Sequence, residues 1–171
     1  GMKILGLSSS GLHSNGYSLA RKVLFTDLGM QPTDPFPGSD RSVGEELLEP
    51  TVIYVKPALS VLRKVPVGGI AHITGGGLLE NIPRVLPEGT AAHIDGSSWQ
   101  RPALFEFRQQ RGKLSDQDML RTFNCGIGMV FVIDEEQVEA TLGSLETMEQ
   151  RAVVIGEVRV HSGPGPRVAV Q

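Results

Sequence analysis

Cysteine is nearly absent from this sequence, since Cys125 is the only one among 171 residues. A lone cysteine excludes an internal disulfide and any zinc site made of several thiolates, and it suits a reducing compartment. Long apolar runs are also missing, because none approaches the roughly 20 residues that a membrane helix requires. The N-terminus lacks the basic and then apolar segments of a signal peptide. We therefore expect a cytoplasmic protein with no membrane contact.

Positive charge is scarce as well. Lys and Arg together number 16 against 19 Asp and Glu, so the net charge is −3, and no basic stretch of the kind that binds nucleic acid occurs. The length and the 40% hydrophobic content predict one globular domain over residues 1–171. Gly1 before Met2 resembles the remnant of a cleaved tag, and a strand follows at once, so we expect a part of a longer protein.

Apolar runs and helix-start signals alternate along the chain. They predict an α+β fold: a three-layer α/β/α domain with one mixed sheet of about six strands and helices on both faces. The nearly continuous apolar run at 126–133 is typical of a central strand covered on both faces. Ser115 with Asp118 predicts a capping box, and Asp134 with Gln137 predicts a second capped helix. Strands are predicted at Lys3–Leu7, Thr51–Val55, Val67–Thr74, Thr90–Ile94, Gly126–Ile133 and Ala152–Val160, with a short edge strand at Arg167–Val170.

The loop Ser8–Ser18, which we call the first corner, joins a predicted strand to a predicted helix. Gly11 and Gly16 allow its backbone a positive φ or a close approach to a ligand. Ser14 or Asn15 is expected to cap the helix, whose free N–H groups and positive dipole end suit an anion such as phosphate. An ordinary turn without a ligand explains the same residues. Local chemistry alone leaves both interpretations open.

A second strand–glycine–helix loop, which we call the second corner, lies at Gly75–Gly77. Its glycines let backbone N–H groups reach a ligand, but no Gly-Lys-Ser/Thr follows, so the loop is not a Walker A motif. The spacing also lacks the third glycine of a dinucleotide fingerprint. Close packing of the helix on the strand is the alternative interpretation. Asn81, one turn into the helix, is expected either to bond a ligand or to face solvent.

Histidine is the side chain best suited to proton transfer near neutral pH. His13 is the strongest candidate, either binding phosphate as a cation or transferring a proton, because it lies at the centre of the first corner. His72 precedes the three glycines, and a lone strand histidine is more often structural. The serines at 8–10 lack the Gly-x-Ser-x-Gly pattern of a nucleophile elbow. No spacing typical of metal ligands occurs, so no metal site is predicted.

Four blocks of sequence resemble one known family. They are GLSSSGLHSNGYSLARK at 6–22, LLEPTVIYVK at 47–56, AHITGGGLLENIPR at 71–84 and FNCGIGM at 123–129, followed by VIG at 154–156. In this order they resemble the C-terminal half of the phosphoribosylformylglycinamidine cyclo-ligase (AIR synthetase) family over almost the whole chain. Formylglycinamidine synthetase, selenophosphate synthetase, thiamine-monophosphate kinase and a hydrogenase maturation factor share that fold, but the second and third blocks favour the cyclo-ligase.

The resemblance implies an ATP-dependent ligase of de novo purine biosynthesis, which converts formylglycinamidine ribonucleotide to aminoimidazole ribonucleotide. It also implies that Mg and most ATP contacts belong to an N-terminal ATP-binding domain of the same enzyme, and that the full-length protein is a homodimer. The isolated chain is then expected to be inactive. The alternatives are a non-catalytic phosphometabolite-binding module, or a related ATP-dependent enzyme such as selenophosphate synthetase or thiamine-monophosphate kinase.

Under this resemblance, the catalytic cleft lies between the two halves of the enzyme and the present chain supplies the substrate side. His13 takes the catalytic role, by stabilising charge or by transferring a proton. Substrate binding is expected from residues of both corners and their flanks, namely Ser9, Ser10, Gly11, Ser14, Asn15, Gly16, His72, Thr74, Gly75, Gly76, Gly77 and Asn81.

Overall fold

The structure is a computed structural model that describes residues 1–112 and 114–171. Strands and helices are interspersed along the chain, although three α-helices follow one another between the first two strands. Strands β1–β6 span Met2–Ser8, Val67–His72, Thr90–Ile94, Ile127–Asp134, Ala152–Val160 and Val168–Val170. Helices α1–α7 span Tyr17–Arg21, Val43–Leu48, Val55–Leu62, Gly77–Asn81, Ala103–Gly112, Asp116–Thr122 and Val138–Glu146.

The strands form one sheet in the order β2-β4-β1-β5-β3-β6. Among the described strands, the β3–β6 pair is parallel and the other pairs are antiparallel, so the sheet is mixed. The predicted central strand corresponds to β4, which lies between β2 and β1. The predicted edge strand at 167–170 corresponds to β6. These observations confirm the α+β fold with about six strands.

Helices cover both faces of the sheet, because successive strand residues point to opposite sides. Ile4 of β1 belongs to the larger core, whereas its neighbour Leu5 belongs to a separate, smaller core. The smaller core includes Val61 of α3 and Leu145 of α7. The larger core contains side chains of α1, α4 and α6, among them Ala20, Leu78, Met119 and Leu120. The predicted three-layer arrangement is therefore confirmed.

Two helix starts test the capping predictions. Ser115 Oγ accepts a hydrogen bond from Asp118 N at 3.1 Å, and Asp118 accepts one from Ser115 N at 3.3 Å, which confirms the capping box before α6. The cap predicted at Asp134 was wrong, since its side chain caps no helix within the described residues. Asp134 instead ends β4, where it pairs with Met2, and a 3-10 turn at Glu135–Gln137 leads into α7.

The predicted strand Thr51–Val55 was also wrong. Its first four residues are irregular, and its last residue begins α3. The ring of Tyr54 is buried and its hydroxyl donates to Ser8 O at 2.7 Å. The backbone N–H of Val52 donates to a histidine side chain rather than to a neighbouring strand. β-Branched and aromatic residues suit any half-buried extended segment, so their propensity did not require a sheet.

The helices are short, and two of them continue in another helical form. α1 passes into a π-helical segment at Lys22–Asp27, and α4 passes into a 3-10 segment at Ile82–Val85. The second change contains Pro83, which has no N–H for an α-helical hydrogen bond. Within the described ranges, no helix has the length and apolar character needed to cross a membrane.

Candidate functional site

One edge of the sheet gathers the ends of several strands. Because β4 is antiparallel to both β1 and β2, its first residues meet the last residues of those two strands. Ser8 pairs with Ile127, and His72 pairs with Met129. The first corner follows β1 and the second corner follows β2. The fold therefore brings the two corners to the same edge of the sheet.

A buried histidine organises the first corner. His13 is 3% exposed, and its Nε2 accepts hydrogen bonds from Ser10 N at 3.1 Å and Val52 N at 3.4 Å. Two backbone donors on Nε2 place the ring proton on Nδ1, a buried atom that meets no partner among the described groups. Burial and, to a smaller extent, the charge of His72 lower the pKa of His13 from 6.5 to about 4. His13 is therefore a neutral imidazole at pH 7.

The backbone of the first corner is strained. His13 has φ 50° and Ser14 has φ 59°, a left-handed conformation that non-glycine residues rarely adopt. Such residues cost on the order of 1–3 kcal/mol each and cluster at functional sites. Asn15 helps to hold this conformation, because its Nδ2 donates to His13 O at 2.6 Å. A strained backbone that hydrogen bonds hold in place favours a ligand site over an ordinary turn.

The start of α1 differs from the prediction. Gly16 stands at the N-cap with φ 70°, and within the described residues no side chain caps this helix. The expected cap by Ser14 or Asn15 was therefore wrong. A Cβ on Gly16 would lie 2.2 Å from the ring of Phe123. The close approach of that ring, together with the positive φ, requires glycine here.

The segment before α3 closes over the first corner. Ser10 Oγ donates to Pro50 O at 2.6 Å. The ring centroid of Tyr54 lies 5.9 Å from that of His13 and 6.1 Å from that of His72. Burial raises the pKa of Tyr54, so its hydroxyl stays protonated and remains a donor. This segment was not singled out as part of the site, and its contacts arise only in the folded chain.

Asn124 is a second residue that the sequence argument missed. It is 2% exposed, and its Oδ1 accepts from Ser9 Oγ and from Gly126 N, both at 2.9 Å. Its Nδ2 donates to Gly11 O at 2.8 Å, which ties the first corner to the start of β4. An Asn-Cys-Gly tripeptide between a helix and a strand is a turn signal. That signal could have identified Asn124.

Asn81 holds the second corner from the protein side. It is 4% exposed, and its Nδ2 donates to the carbonyls of Gly77, Gly75 and Thr74 at 2.8, 3.1 and 3.3 Å. Its side chain therefore holds the loop and does not face solvent. Direct binding of substrate by Asn81 stays a prediction. A Cβ on Gly77, which has φ 55°, would lie 2.0 Å from Leu120 O, so the corner packs directly on α6.

The two corners lie next to each other, since the Cβ position of Gly75 is 3.7 Å from Asn15 Oδ1. Within residues 1–112 and 114–171, the amide N–H groups of Gly75 and Gly76 meet no protein acceptor, which leaves them able to bind an anion. Exposure divides the predicted site residues. Exposed or half-buried are Ser9, Ser10, Ser14, Asn15, Gly16, His72, Thr74, Gly75 and Gly76, whereas Gly11, His13, Gly77 and Asn81 are buried.

The groups offered at this edge are hydroxyl, amide and imidazole side chains together with free backbone N–H groups. Such donors suit a phosphate or a polar amide. In the part of the chain that the structure describes, no three His, Cys, Asp or Glu side chains are grouped so that they could hold a metal ion.

The fold defines a class of α/β/α domain that is also found in solved structures. Thiamine-monophosphate kinase from Stenotrophomonas maltophilia K279a matches with a TM-score of 0.63 and 20% identity, covering 99% of this chain and 50% of that chain. Hydrogenase maturation protein HypE in complex with ATP matches with a TM-score of 0.64 and 17% identity, covering 99% of this chain and 47% of that chain. T. maritima PurL complexed with FGAR matches with a TM-score of 0.54 and 14% identity, covering 94% of this chain and 24% of that chain. These likenesses show the fold alone.

The sequence shows the family. The chain belongs to the family described as AIR synthase related protein, C-terminal domain, which matches residues 1–168. It is 55% identical over 158 residues to phosphoribosylformylglycinamidine cyclo-ligase from Geotalea daltonii, covering 92% of this chain and 45% of that protein. It is 49% identical over 163 residues to the Bacillus subtilis protein of the same name, covering 95% and 47%. The chain thus spans about half the length of the curated relatives it matches, and the family resemblance is confirmed.

Proposed function

We propose that this chain is the substrate-side, C-terminal half of a phosphoribosylformylglycinamidine cyclo-ligase. The observation that supports this most strongly is the 49–55% identity to proteins of that name over 92–95% of the chain. The substrate of the longer protein is formylglycinamidine ribonucleotide, and the product is aminoimidazole ribonucleotide. The step requires ATP and belongs to purine biosynthesis.

The two corners form one wall of the substrate cleft. Ser14, Asn15 and His72 are accessible polar side chains at this wall, and Gly75 adds a free backbone N–H. These groups bind the substrate phosphate or the reacting amide. For His13 we propose the catalytic role of stabilising charge or transferring a proton, which as a neutral imidazole it would perform through the Nδ1 proton that meets no partner among the described groups.

The other wall belongs to an N-terminal ATP-binding domain of the longer protein. The longer protein is a homodimer. We assign Mg and most ATP contacts to that domain. When bound, ATP supplies the phosphoryl group that activates the substrate oxygen for ring closure. Two proteins with this fold support a cleft for such ligands, because one solved structure of HypE holds ATP and one of T. maritima PurL holds FGAR. Each of those chains extends well beyond the part that this chain covers.

Sequence identity separates this function from the kinase alternative. Thiamine-monophosphate kinase shares 20% identity with the chain, whereas the Geotalea daltonii cyclo-ligase shares 55%. Proteins that share one fold can have different functions, so likeness of fold to the kinase does not by itself favour kinase activity. The higher identity therefore favours the cyclo-ligase.

A joined protein tests the proposal. The Geotalea daltonii cyclo-ligase contains a part that precedes the region matched by this chain. That part is fused to this chain, and ATP-dependent formation of aminoimidazole ribonucleotide is measured. We expect turnover by the fusion and none by the 171-residue chain or by the preceding part alone. A folded fusion that leaves formylglycinamidine ribonucleotide unchanged would contradict the proposed activity. Turnover by the 171-residue chain alone would contradict the proposed division between the halves.

A further inference from the structure

An exposed apolar surface lies beside the first corner, and nothing in the site uses it. Five large apolar side chains within one 15-residue stretch are exposed. We call them the 48–62 patch: Leu48 (81% exposed), Ile53 (80%), Val55 (60%), Leu59 (45%) and Leu62 (48%). Single exposed apolar residues are ordinary, but a gathering of this kind marks an interaction surface.

Helix α3 carries two separate apolar faces. Val61 is 2% exposed and packs in the smaller core, about 120° around the helix from Val55. Val55, Leu59 and Leu62 are spaced by four and three residues, so they form one stripe along the outer side. A helix that rests on a sheet needs one apolar face, and its other side is normally polar. The outer stripe is therefore in excess of what this fold requires.

The patch is joined to the candidate site by hydrogen bonds. Between Leu48 and Val55, the carbonyl of Pro50 accepts from Ser10 Oγ at 2.6 Å. The N–H of Val52 donates to His13 Nε2 at 3.4 Å, and the hydroxyl of Tyr54 donates to the backbone at the end of β1. The same short segment thus presents apolar side chains outward and holds the first corner inward.

We propose that the 48–62 patch is the docking surface for the part of the longer protein that precedes this domain. The inference rests on the proposed function, since it takes the missing wall of the cleft to be that part. The relatives extend over more than half of their length outside the matched region, and the matched family is a C-terminal domain. A cleft at the first corner needs a partner surface next to that corner, and the patch is such a surface.

Docking also bears on the site. The segment between α2 and Val55 carries the groups that bond Ser10 and His13, and those hydrogen bonds are already formed in the 171-residue chain. Covering Ile53 and Val55 would shield this segment from water and hold it against the first corner.

Site-specific labelling tests the proposal. Cys125 is fully buried, and burial raises the pKa of its thiol to about 12, so a cysteine placed on the surface is the reactive thiol of this chain. Ile53→Cys and Leu59→Cys probe the patch. Val160→Cys is the matched control, because Val160 is 86% exposed at the far end of β5. Each variant is labelled with a maleimide both as the 171-residue chain and in the fusion, and the label is located by mass spectrometry.

We expect the two patch cysteines to react about tenfold more slowly, or slower still, in the fusion, while the control reacts equally in both proteins. Equal patch rates in both proteins would overturn the proposal. Protection that already occurs in the 171-residue chain and rises with its concentration would assign the patch to a second copy and would also overturn it. Labelling is independent of turnover: an active fusion with unprotected cysteines refutes docking alone, and a protected but inactive fusion refutes the proposed activity alone.

Discussion

A buried polar side chain bonds the backbone of each corner, His13 in the first and Asn81 in the second, but the two side chains bond opposite groups of that backbone. His13 accepts from N–H groups, whereas Asn81 donates to three carbonyls. Among the described residues, the N–H groups of Gly75 and Gly76 in the second corner meet no acceptor, whereas the N–H of Ser10 in the first corner donates to His13. Two similar strand–glycine–helix sequences thus offer different surfaces, one of backbone donors and one of side-chain hydroxyl and amide groups.

The corners also use the left-handed conformation for different reasons. In the first corner, His13 and Ser14 adopt it although they have side chains, at a cost in strain. In the second corner, Gly77 adopts it where α6 leaves no room for a Cβ. Close packing limits both corners, at Gly16 and at Gly77, whereas strain at residues with side chains belongs to the first corner. Four measurements test this difference, and we take them from the largest expected effect to the smallest.

Gly77→Ala should lower the free energy of unfolding by about 4 kcal/mol, through backbone strain and a clash that no rotamer relieves. The added Cβ would lie 2.0 Å from Leu120 O at a φ of 55°. Gly75→Ala is the matched control, since its nearest neighbour would be Asn15 Oδ1 at 3.7 Å, and it should change stability by about 0.5 kcal/mol or less. Urea unfolding followed by circular dichroism measures both. Equal losses in the two variants would contradict the packing argument.

Asn81→Ala should lower the free energy of unfolding by about 3 kcal/mol, because it removes the side chain that donates to three carbonyls of the second corner and leaves a small cavity at a buried position. Urea unfolding again measures the loss. Glu80→Ala on the exposed side of the same helix is the control and should cost about 0.5 kcal/mol or less, because its ion pair with Arg121 is exposed and long at 3.6 Å. A loss in Asn81→Ala as small as in the control would show that the second corner keeps its conformation without the hydrogen bonds of Asn81.

Acid should weaken the first corner and not the second. The pKa of His13 is lowered from 6.5 to about 4 in the folded chain, so between those values the unfolded chain binds the extra proton. The free energy of unfolding should therefore fall by about 2 kcal/mol as the pH is lowered from 7 to 5. Asn81→Ala should keep this slope and His13→Gln should lose it. An NMR titration that placed the folded-state pKa of His13 above 6 would refute the mechanism.

Ser9→Ala should cost about 1 kcal/mol, through loss of the hydrogen bond to Asn124 Oδ1. Ser14→Ala in the same corner is the control, because Ser14 is exposed and its contact with Thr51 is long at 3.4 Å. Thermal unfolding of the three proteins ranks them. If the two variants were equally stable, Asn124 would not be the link between the first corner and β4.

Much of the fold follows from local sequence signals. The capping box of Ser115 and Asp118 and the apolar run of β4 were correct, because each depends on neighbours in sequence or on a simple period. The strand at Thr51–Val55 failed because strand propensity states only that a residue suits an extended, half-buried place. The cap predicted at Asp134 was wrong because this residue is the last of β4 and pairs with Met2 in the sheet.

The site was predicted only in outline. Both corners were found, since glycine, serine and asparagine after a strand are visible in the sequence. The residues that hold them were assigned differently: Asn81 was expected to bond a ligand or face solvent, and Asn124 and Tyr54 were not considered for the site. Each of these three acts through contacts with backbone that is distant in the sequence or hidden in the loop. Spacing cannot reveal such contacts.

By itself, the sequence determined the α+β fold, the two corners and the family, because these depend on periodicity, glycine placement and ordered blocks of residues. Tertiary structure alone decided that His13 is neutral and buried, that Asn81 ties up carbonyls, and that α3 keeps a second apolar face in water. The physical reason is that local sequence does not fix which groups become buried. Burial sets the cost of a charge or of an unpaired polar group, and burial depends on which distant segments meet.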